Sequence, residues 1–165
     1  MHSTPQKLVA FFVMLSLSVF VGCETTSDEM PYTTMDLAQP VEILHTVVGG
    51  HPSLDAPGLM LISSQDQLDE LGSDDLIGRP VNFDNEVVVL ATLGEMPSSG
   101  YWINVTSIYQ EGDTLQVYGQ ANRPGGDTMT GQVLTYPYCV VVIQRSGATM
   151  VGDQIESVEG QDPPM

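Results

Sequence analysis

The sequence predicts a mainly β domain with one short helix, built as an antiparallel sandwich or a barrel-like arrangement, with an α+β fold as the alternative. Three observations favour this class. Short runs rich in Val, Ile, Thr and Tyr recur along the chain, and these residues suit a pleated, half-buried sheet. The runs are separated by segments rich in Gly, Pro and Asp, which favour turns. Helix-start and helix-stop signals coincide in one short segment.

Six β-strands are expected between residues 41 and 144. Val87 to Leu90 form an uninterrupted apolar run, which is typical of a buried strand. From Tyr101 onward the pattern alternates, with Tyr101, Ile103 and Val105 on one face, as in a half-buried strand. The predicted strands lie in VEILHTVV (41–48), LMLISS (59–64), VNFDNEVVVLATL (81–93), YWINVTSIY (101–109), TLQVYGQA (114–121) and LTYPYCVVVIQ (134–144).

The one predicted helix covers residues 65–71. Ser64 and Gln67 have the spacing of a capping box at its start. Leu68 and Leu71 fall on one face, and Gly72 is suited to end the helix.

Residues 1–22 are predicted to be an export signal. Lys7, the only lysine, precedes a 14-residue apolar run from Leu8 to Val21, which is typical of a signal peptide and short for a membrane span. The run ends at Gly22-Cys23, and VFVGC resembles the lipobox of bacterial lipoproteins. We therefore expect lipid attachment at Cys23 and anchoring to the bacterial cell envelope. An ordinary signal peptide is the alternative.

Three further segments follow the signal. Residues 23–40 are rich in Thr, acidic residues and Pro and are predicted to be a tether. Residues 41–146 have the size of one β-rich domain. Residues 147–165 are predicted to be a C-terminal extension, partly disordered.

Charge limits the partners of the mature chain. Without residues 1–22 it has three arginines, no lysine and 21 acidic residues, a net charge of −18. Such a surface repels nucleic acid and anionic headgroups. It suits a basic protein partner or a saline medium, and a solvated acidic surface without a dedicated partner is equally consistent with it.

Residue types that carry catalysis do not combine into a known pattern. Ser98 and Ser99 lack the Gly-x-Ser-x-Gly elbow of many hydrolases. His45 and His51 lack zinc-ligand spacing, and Cys139 lies in an apolar strand, where a buried structural thiol is expected. We therefore predict a protein that is not an enzyme, with no cofactor and no metal.

A Pro-Ser-Ser-Gly turn directly precedes the adjacent Tyr101 and Trp102, the latter being the only tryptophan. Proline and glycine favour a rigid turn, and adjacent Tyr and Trp supply contact area at small entropic cost. At least one of the two aromatic residues is expected to pack in the core, because neighbours on a strand point to opposite faces. The predicted partner-binding residues are Pro97, Ser98, Ser99, Gly100, Tyr101 and Trp102, with Arg123 and Pro124 of a later loop as second choice.

Three segments in order resemble the PrcB C-terminal domain family, named for a small lipoprotein subunit of a bacterial surface protease complex. VNFDNEVVVLATLG (81–94) is followed by a turn similar to the family's Gly-x-x-Pro-Thr-Gly-Gly-Tyr, and Thr135, Pro137 and Tyr138 then lead a hydrophobic strand. The resemblance covers about residues 41–145. Ser99 replaces a glycine, and Glu95 stands where a basic residue is common. The resemblance implies a non-catalytic domain that stabilises or docks a protease.

A second resemblance concerns two loops. PSSGYW and NRPGGD are similar to the cleft-binding loops of chagasin-type inhibitors of cysteine proteases, although Met96 replaces an asparagine and no aromatic residue follows Pro124. The expected function is therefore protein binding as an accessory subunit or modulator of a surface protease. A structural envelope lipoprotein, a chagasin-like inhibitor and an unrecognised hydrolase are the alternatives.

Overall fold

The computed structural model describes residues 37–72 and 75–163. The predicted signal and Cys23 lie outside the described residues. Eight strands and one helix are present in them: β1 Gln39–Val41, β2 Ile43–Gly50, β3 Pro57–Ile62, α1 Gln65–Glu70, β4 Glu86–Leu93, β5 Trp102–Glu111, β6 Thr114–Arg123, β7 Pro137–Gln144 and β8 Met150–Glu159. The prediction of a mainly β fold with one short helix is confirmed. Within the described ranges, no helix is long and apolar enough to cross a membrane.

The strands form two four-stranded sheets that pack as a sandwich. Sheet A has the order β1-β5-β6-β8, and sheet B has the order β2-β7-β4-β3. All pairings are antiparallel except that of β6 with β8, which is parallel.

The main core lies between the sheets. Alternate residues of β4 and β7 meet the inward-facing residues of β5 and β6 there, as the two-residue period of a strand requires. Its buried members are Val87, Val89, Ala91, Ile103, Val105, Ile108, Leu115, Val117, Cys139, Val141 and Ile143.

A second core covers the outer face of sheet B. Val88, Leu90, Val140 and Val142 point to this side. A covering layer from the connections and α1 packs on them through Leu54, Leu68, Leu76 and Ile77, with Val81 and Phe83 partly buried at its edge. Burial on both faces explains why β4 and β7 appear in the sequence as continuous apolar runs.

The helix begins as predicted. The Gln67 amide donates to the Ser64 hydroxyl at 3.3 Å, while the Gln67 side chain accepts from the Ser63 amide at 2.7 Å. Gly72, with φ of 67°, follows the last turn.

Two strands lie where no strand was predicted. β1 begins within the segment assigned to the tether and pairs with β5 from Gln39 to Val41. β8 occupies ten residues of the segment assigned to a C-terminal extension and pairs with β6 from Met150 to Glu159. Four of the ten β8 residues are Asp, Glu or Gln. The strand has only one packed face, so its sequence lacks an apolar run.

Candidate functional site

The two segments predicted to bind a partner meet at one end of the sandwich. The tip, residues 94–101, connects β4 to β5, and the long loop, residues 124–136, connects β6 to β7. Pro124 of the long loop lies against the tip, since a Cβ placed on Gly100 would approach the Pro124 Cβ to 3.2 Å. The sandwich therefore brings together residues that are more than twenty positions apart in the sequence.

Hydrogen bonds fix the tip to the long loop. The Ser99 amide donates to the Gly131 carbonyl at 3.0 Å, and the Gly131 amide donates to the Ser99 hydroxyl at 2.8 Å. Met96 and Thr135 exchange two backbone bonds of 2.8 and 3.0 Å, and the Thr135 hydroxyl donates to the Ser98 carbonyl at 2.9 Å. Ser98, Ser99 and Thr135 thus hold the backbone together, and the tip is preorganised.

Glycine is required at both ends of the tip. Gly94 has φ of 72° and Gly100 has φ of 93°, a region that other residues rarely adopt. A Cβ at Gly94 would also lie 2.8 Å from the Asp55 carbonyl oxygen and from the Pro57 nitrogen. The two glycines allow the chain to leave β4 close to the β3 connection and to enter β5 beside the long loop.

Trp102 lies beneath the tip and is 7% exposed, as predicted for at least one of the two aromatic residues. Its indole N–H donates to the Gln161 carbonyl at 3.1 Å. Asn122, 3% exposed, joins the tip to the C-terminal segment. Its amide donates to the Gly100 carbonyl at 3.0 Å, and its carbonyl accepts from the Gln161 amide at 3.1 Å.

These contacts leave a groove of about 280 Å³ between the tip, the long loop and the C-terminal segment. Tyr101 lines it and is half-buried, so part of its ring is available to a ligand. The groove contains four of the predicted residues and several that were not predicted. The lining residues are Gly100, Tyr101, Trp102, Asn122, Pro124, Thr128, Gly160, Gln161, Asp162 and Pro163.

One polar pair is adjacent in sequence to lining residues of the groove, and a second joins the tip to the long loop. Arg123, predicted to contact a partner, forms an exposed ion pair with Glu159 of 2.7 Å. The Tyr136 hydroxyl donates to Glu95 at 2.9 Å, and this bond to a carboxylate is the main reason why the pKa of Tyr136 is raised. An exposed ion pair such as Arg123–Glu159 contributes little stability, so Glu159 can change partners at small cost.

Exposed apolar side chains concentrate on the long loop. Met129 is 100% exposed, and Val133 and Leu134 are each more than half exposed. Several exposed apolar side chains on one loop favour a protein contact surface there.

The polar residues considered for hydrolysis have other partners. The Ser98 hydroxyl donates to the Ser99 carbonyl at 3.2 Å, and the Ser99 hydroxyl accepts the Gly131 amide. The His45 ring bonds the Ile77 carbonyl at 2.9 Å, and the His51 ring bonds the Ser53 hydroxyl at 2.8 Å. Within residues 37–72 and 75–163, no group of three or more His, Cys, Asp or Glu side chains is placed to hold a metal ion.

Asn122, Thr128 and the segment 160–163 are the site residues that the sequence analysis missed. One signal was available for Asn122, because a polar residue at the end of an alternating strand needs a partner when buried. No signal placed Gln161, since its position depends on the parallel pairing of β8 with β6.

The fold and site define a β-sandwich domain with a preorganised, loop-built groove at one end. Residues 87–144 match the family described as PrcB C-terminal. The match extends from β4 through β7 and includes the tip and the long loop, and it supports the resemblance to this family over these residues. No match was found among the curated proteins or among the solved structures.

Proposed function

We propose that this protein is exported, anchored to the bacterial cell envelope by lipid on Cys23, and binds a protein partner without catalysis. Its role is that of an accessory subunit, stabiliser or modulator of a surface protease. The observation that supports this proposal best is the meeting of the tip and the long loop in one groove.

Rigidity of the groove favours binding. The tip is held by backbone bonds to Gly131 and Thr135, so little conformational entropy remains to be lost when a partner binds. Tyr101 is half-buried and lines the groove, and the long loop, which lines it through Pro124 and Thr128, also has three exposed apolar residues. Aromatic residues in a preformed pocket are the usual energetic centre of a protein interface.

The geometry of the groove supports protein binding. The choice of a protease as the partner depends on the family match alone. The matched description names only the PrcB C-terminal family. A structural envelope lipoprotein fits the same groove if its partner is another envelope protein. A chagasin-like inhibitor would insert the tip into a cleft, and a hydrolase would need the serine hydroxyls freed from their backbone bonds.

The first experiment identifies the partner. Full-length protein is crosslinked mildly in intact cells, extracted with detergent, and its co-purified proteins are identified by mass spectrometry. Recovery of a protease supports the proposal. Recovery of only other envelope proteins would eliminate the protease role and leave the structural alternative.

A matched pair of variants connects the partner to the groove. Tyr101→Ala removes the half-buried ring in the groove, whereas Tyr109→Ala removes a tyrosine, 37% exposed, at the other end of sheet A. We expect Tyr101→Ala to reduce capture about tenfold, equivalent to about 1.4 kcal/mol, with an unchanged thermal midpoint, and Tyr109→Ala to leave capture intact. If both variants lost capture equally, the partner would not bind at the groove.

Thiol counting tests the lipid anchor independently. Cys139 is fully buried, and burial raises the pKa of its thiol, so we expect no reaction with a thiol reagent in the folded protein. After unfolding, lipid-modified protein should show one thiol, because the sulfur of Cys23 is blocked. Two thiols in protein taken from the envelope would contradict lipidation.

A further inference from the structure

Two side chains in the groove donate an N–H within the protein. The Trp102 indole donates to the Gln161 carbonyl, and the Asn122 amide donates to the Gly100 carbonyl. Among the described lining residues, Asp162 is the only charged one, and it is exposed. The groove therefore offers a carboxylate and no cation, an arrangement that favours a positively charged ligand over an anionic one.

The apolar surfaces of the groove suit the same ligand. Tyr101, Pro124 and Pro163 supply its aromatic and proline surfaces. The aliphatic stem of a lysine or arginine packs on such surfaces while its charged end remains at the rim. A cation near the face of a tyrosine ring is also attracted by the electrons of the ring.

The cations of the rest of the domain are already engaged. Beyond Lys7 the chain has no lysine. Arg79 pairs with Glu86, Arg123 pairs with Glu159, and Arg145 donates to two carbonyls, those of Phe83 and Ser63. With 21 acidic residues in the chain, the field around the groove attracts basic partners and repels acidic ones.

We propose that the groove receives a cationic side chain, arginine or lysine, from an extended segment of the protein partner, with Asp162 as its counter-ion and Tyr101 against its stem. This inference rests on the proposed binding function and specifies the chemistry of the partner.

Trp102 supplies a built-in reporter, because it is the only tryptophan in the chain and it lines the groove. Full-length protein in detergent is titrated with triarginine, and tryptophan emission is recorded. Tricitrulline is the matched neutral peptide, and triglutamate is the anionic one. We expect a saturable change with triarginine that weakens as salt is added, and no change with the other two peptides.

Two variants locate the effect. Asp162→Asn should raise the apparent Kd for triarginine roughly two- to fivefold, the range for an exposed ion pair. Asp153→Asn removes the same charge from an exposed position on β8 outside the groove and should leave the Kd unchanged. Equal changes in Kd for the two variants would show that triarginine is attracted only by the overall negative charge, and this would overturn the proposal. A change in emission with tricitrulline or triglutamate would also overturn it.

The outcome is separable from that of the cell crosslinking. A captured partner whose binding survives Asp162→Asn would retain the proposed function and reject the cationic ligand. Triarginine binding that depends on Asp162, without any partner in cells, would retain the cationic groove and reject the accessory role.

Discussion

The two sheets of the sandwich differ in what covers their outer faces. The central strands of sheet B, β4 and β7, are buried on both sides, and residues such as Leu90 and Val140, which point away from the main core, are at most 1% exposed. The outer face of sheet A is open along most of its length, and Tyr118 there is 40% exposed. Near the tip, the C-terminal segment crosses this open side and bonds to Trp102 and Asn122.

Because of this difference, the two sheets contribute differently to stability and to binding. Sheet B holds most of the fully buried aliphatic side chains, so it stabilises the domain through apolar burial. Sheet A contributes one apolar face to the core and contributes its β5 and β6 ends to the groove. Substitutions on the outer face of sheet B should therefore affect folding, and substitutions at the groove should affect binding.

The largest effect is expected from Leu90→Ala. Leu90 is fully buried under the covering layer of sheet B, and removing its side chain leaves a cavity. We expect a loss of about 2–5 kcal/mol in the free energy of unfolding, measured by urea denaturation.

Tyr118→Ala is the matched change on the outer face of sheet A. It loses the edge-to-face contact with Tyr109, whose ring centroid lies 5.5 Å away, and we expect a cost of about 0.5–1.5 kcal/mol. Equal costs for Leu90→Ala and Tyr118→Ala would contradict the division between the sheets.

An intermediate effect is expected from Asn122→Ala. The change leaves the Gly100 carbonyl and the Gln161 amide without their partner, which should cost about 1–3 kcal/mol. Because the C-terminal segment then loses a contact over Trp102, tryptophan emission should shift to longer wavelength.

Asn82→Ala is the control for that change. The Asn82 side chain accepts one bond, from the Asp84 amide, in an exposed turn on the sheet B side. We expect a smaller loss of stability and unchanged emission. A red shift in Asn82→Ala, or none in Asn122→Ala, would show that Asn122 does not position the segment over Trp102.

The fold was predictable where burial leaves a pattern in the sequence. β4 and β7 form apolar runs because both of their faces are covered, and β5 and β6 alternate because only one face is covered. β8 was not predictable, because its acidic and polar residues resemble those of a solvated tail. Its strand structure depends on non-local pairing with β6, which local propensity does not encode.

The site was predictable only where it depends on local sequence. The tip has its own turn residues, Pro97 and Gly100, and was recognisable from the sequence alone. The partners that hold it, Gly131 and Thr135, lie in a loop without regular structure, and the fold alone brings them within bonding distance. Ser99 was predicted to contact a partner, and the structure gives its hydroxyl a bond to the Gly131 amide.

The smallest effect is expected at the edge of the covering layer, where Arg79 donates two bonds, of 2.9 and 3.0 Å, to Glu86 at the start of β4. The Arg79 side chain is the main reason why the pKa of Glu86 is lowered, and the Asn82 amide adds to it. A carboxylate with a lowered pKa in the folded state stabilises the protein above its unfolded pKa of about 4.3. This contribution is lost as the pH falls through the lower, folded value.

Glu86→Gln should therefore make the free energy of unfolding depend less steeply on pH below about 4.3, as measured by denaturation at several pH values. In an Arg79→Gln background the same change should have less effect, because the main cause of the lowered pKa is already gone. If Glu86→Gln changed the pH dependence of the free energy of unfolding equally in both backgrounds, the bond from the Asn82 amide, and not the ion pair with Arg79, would be its cause.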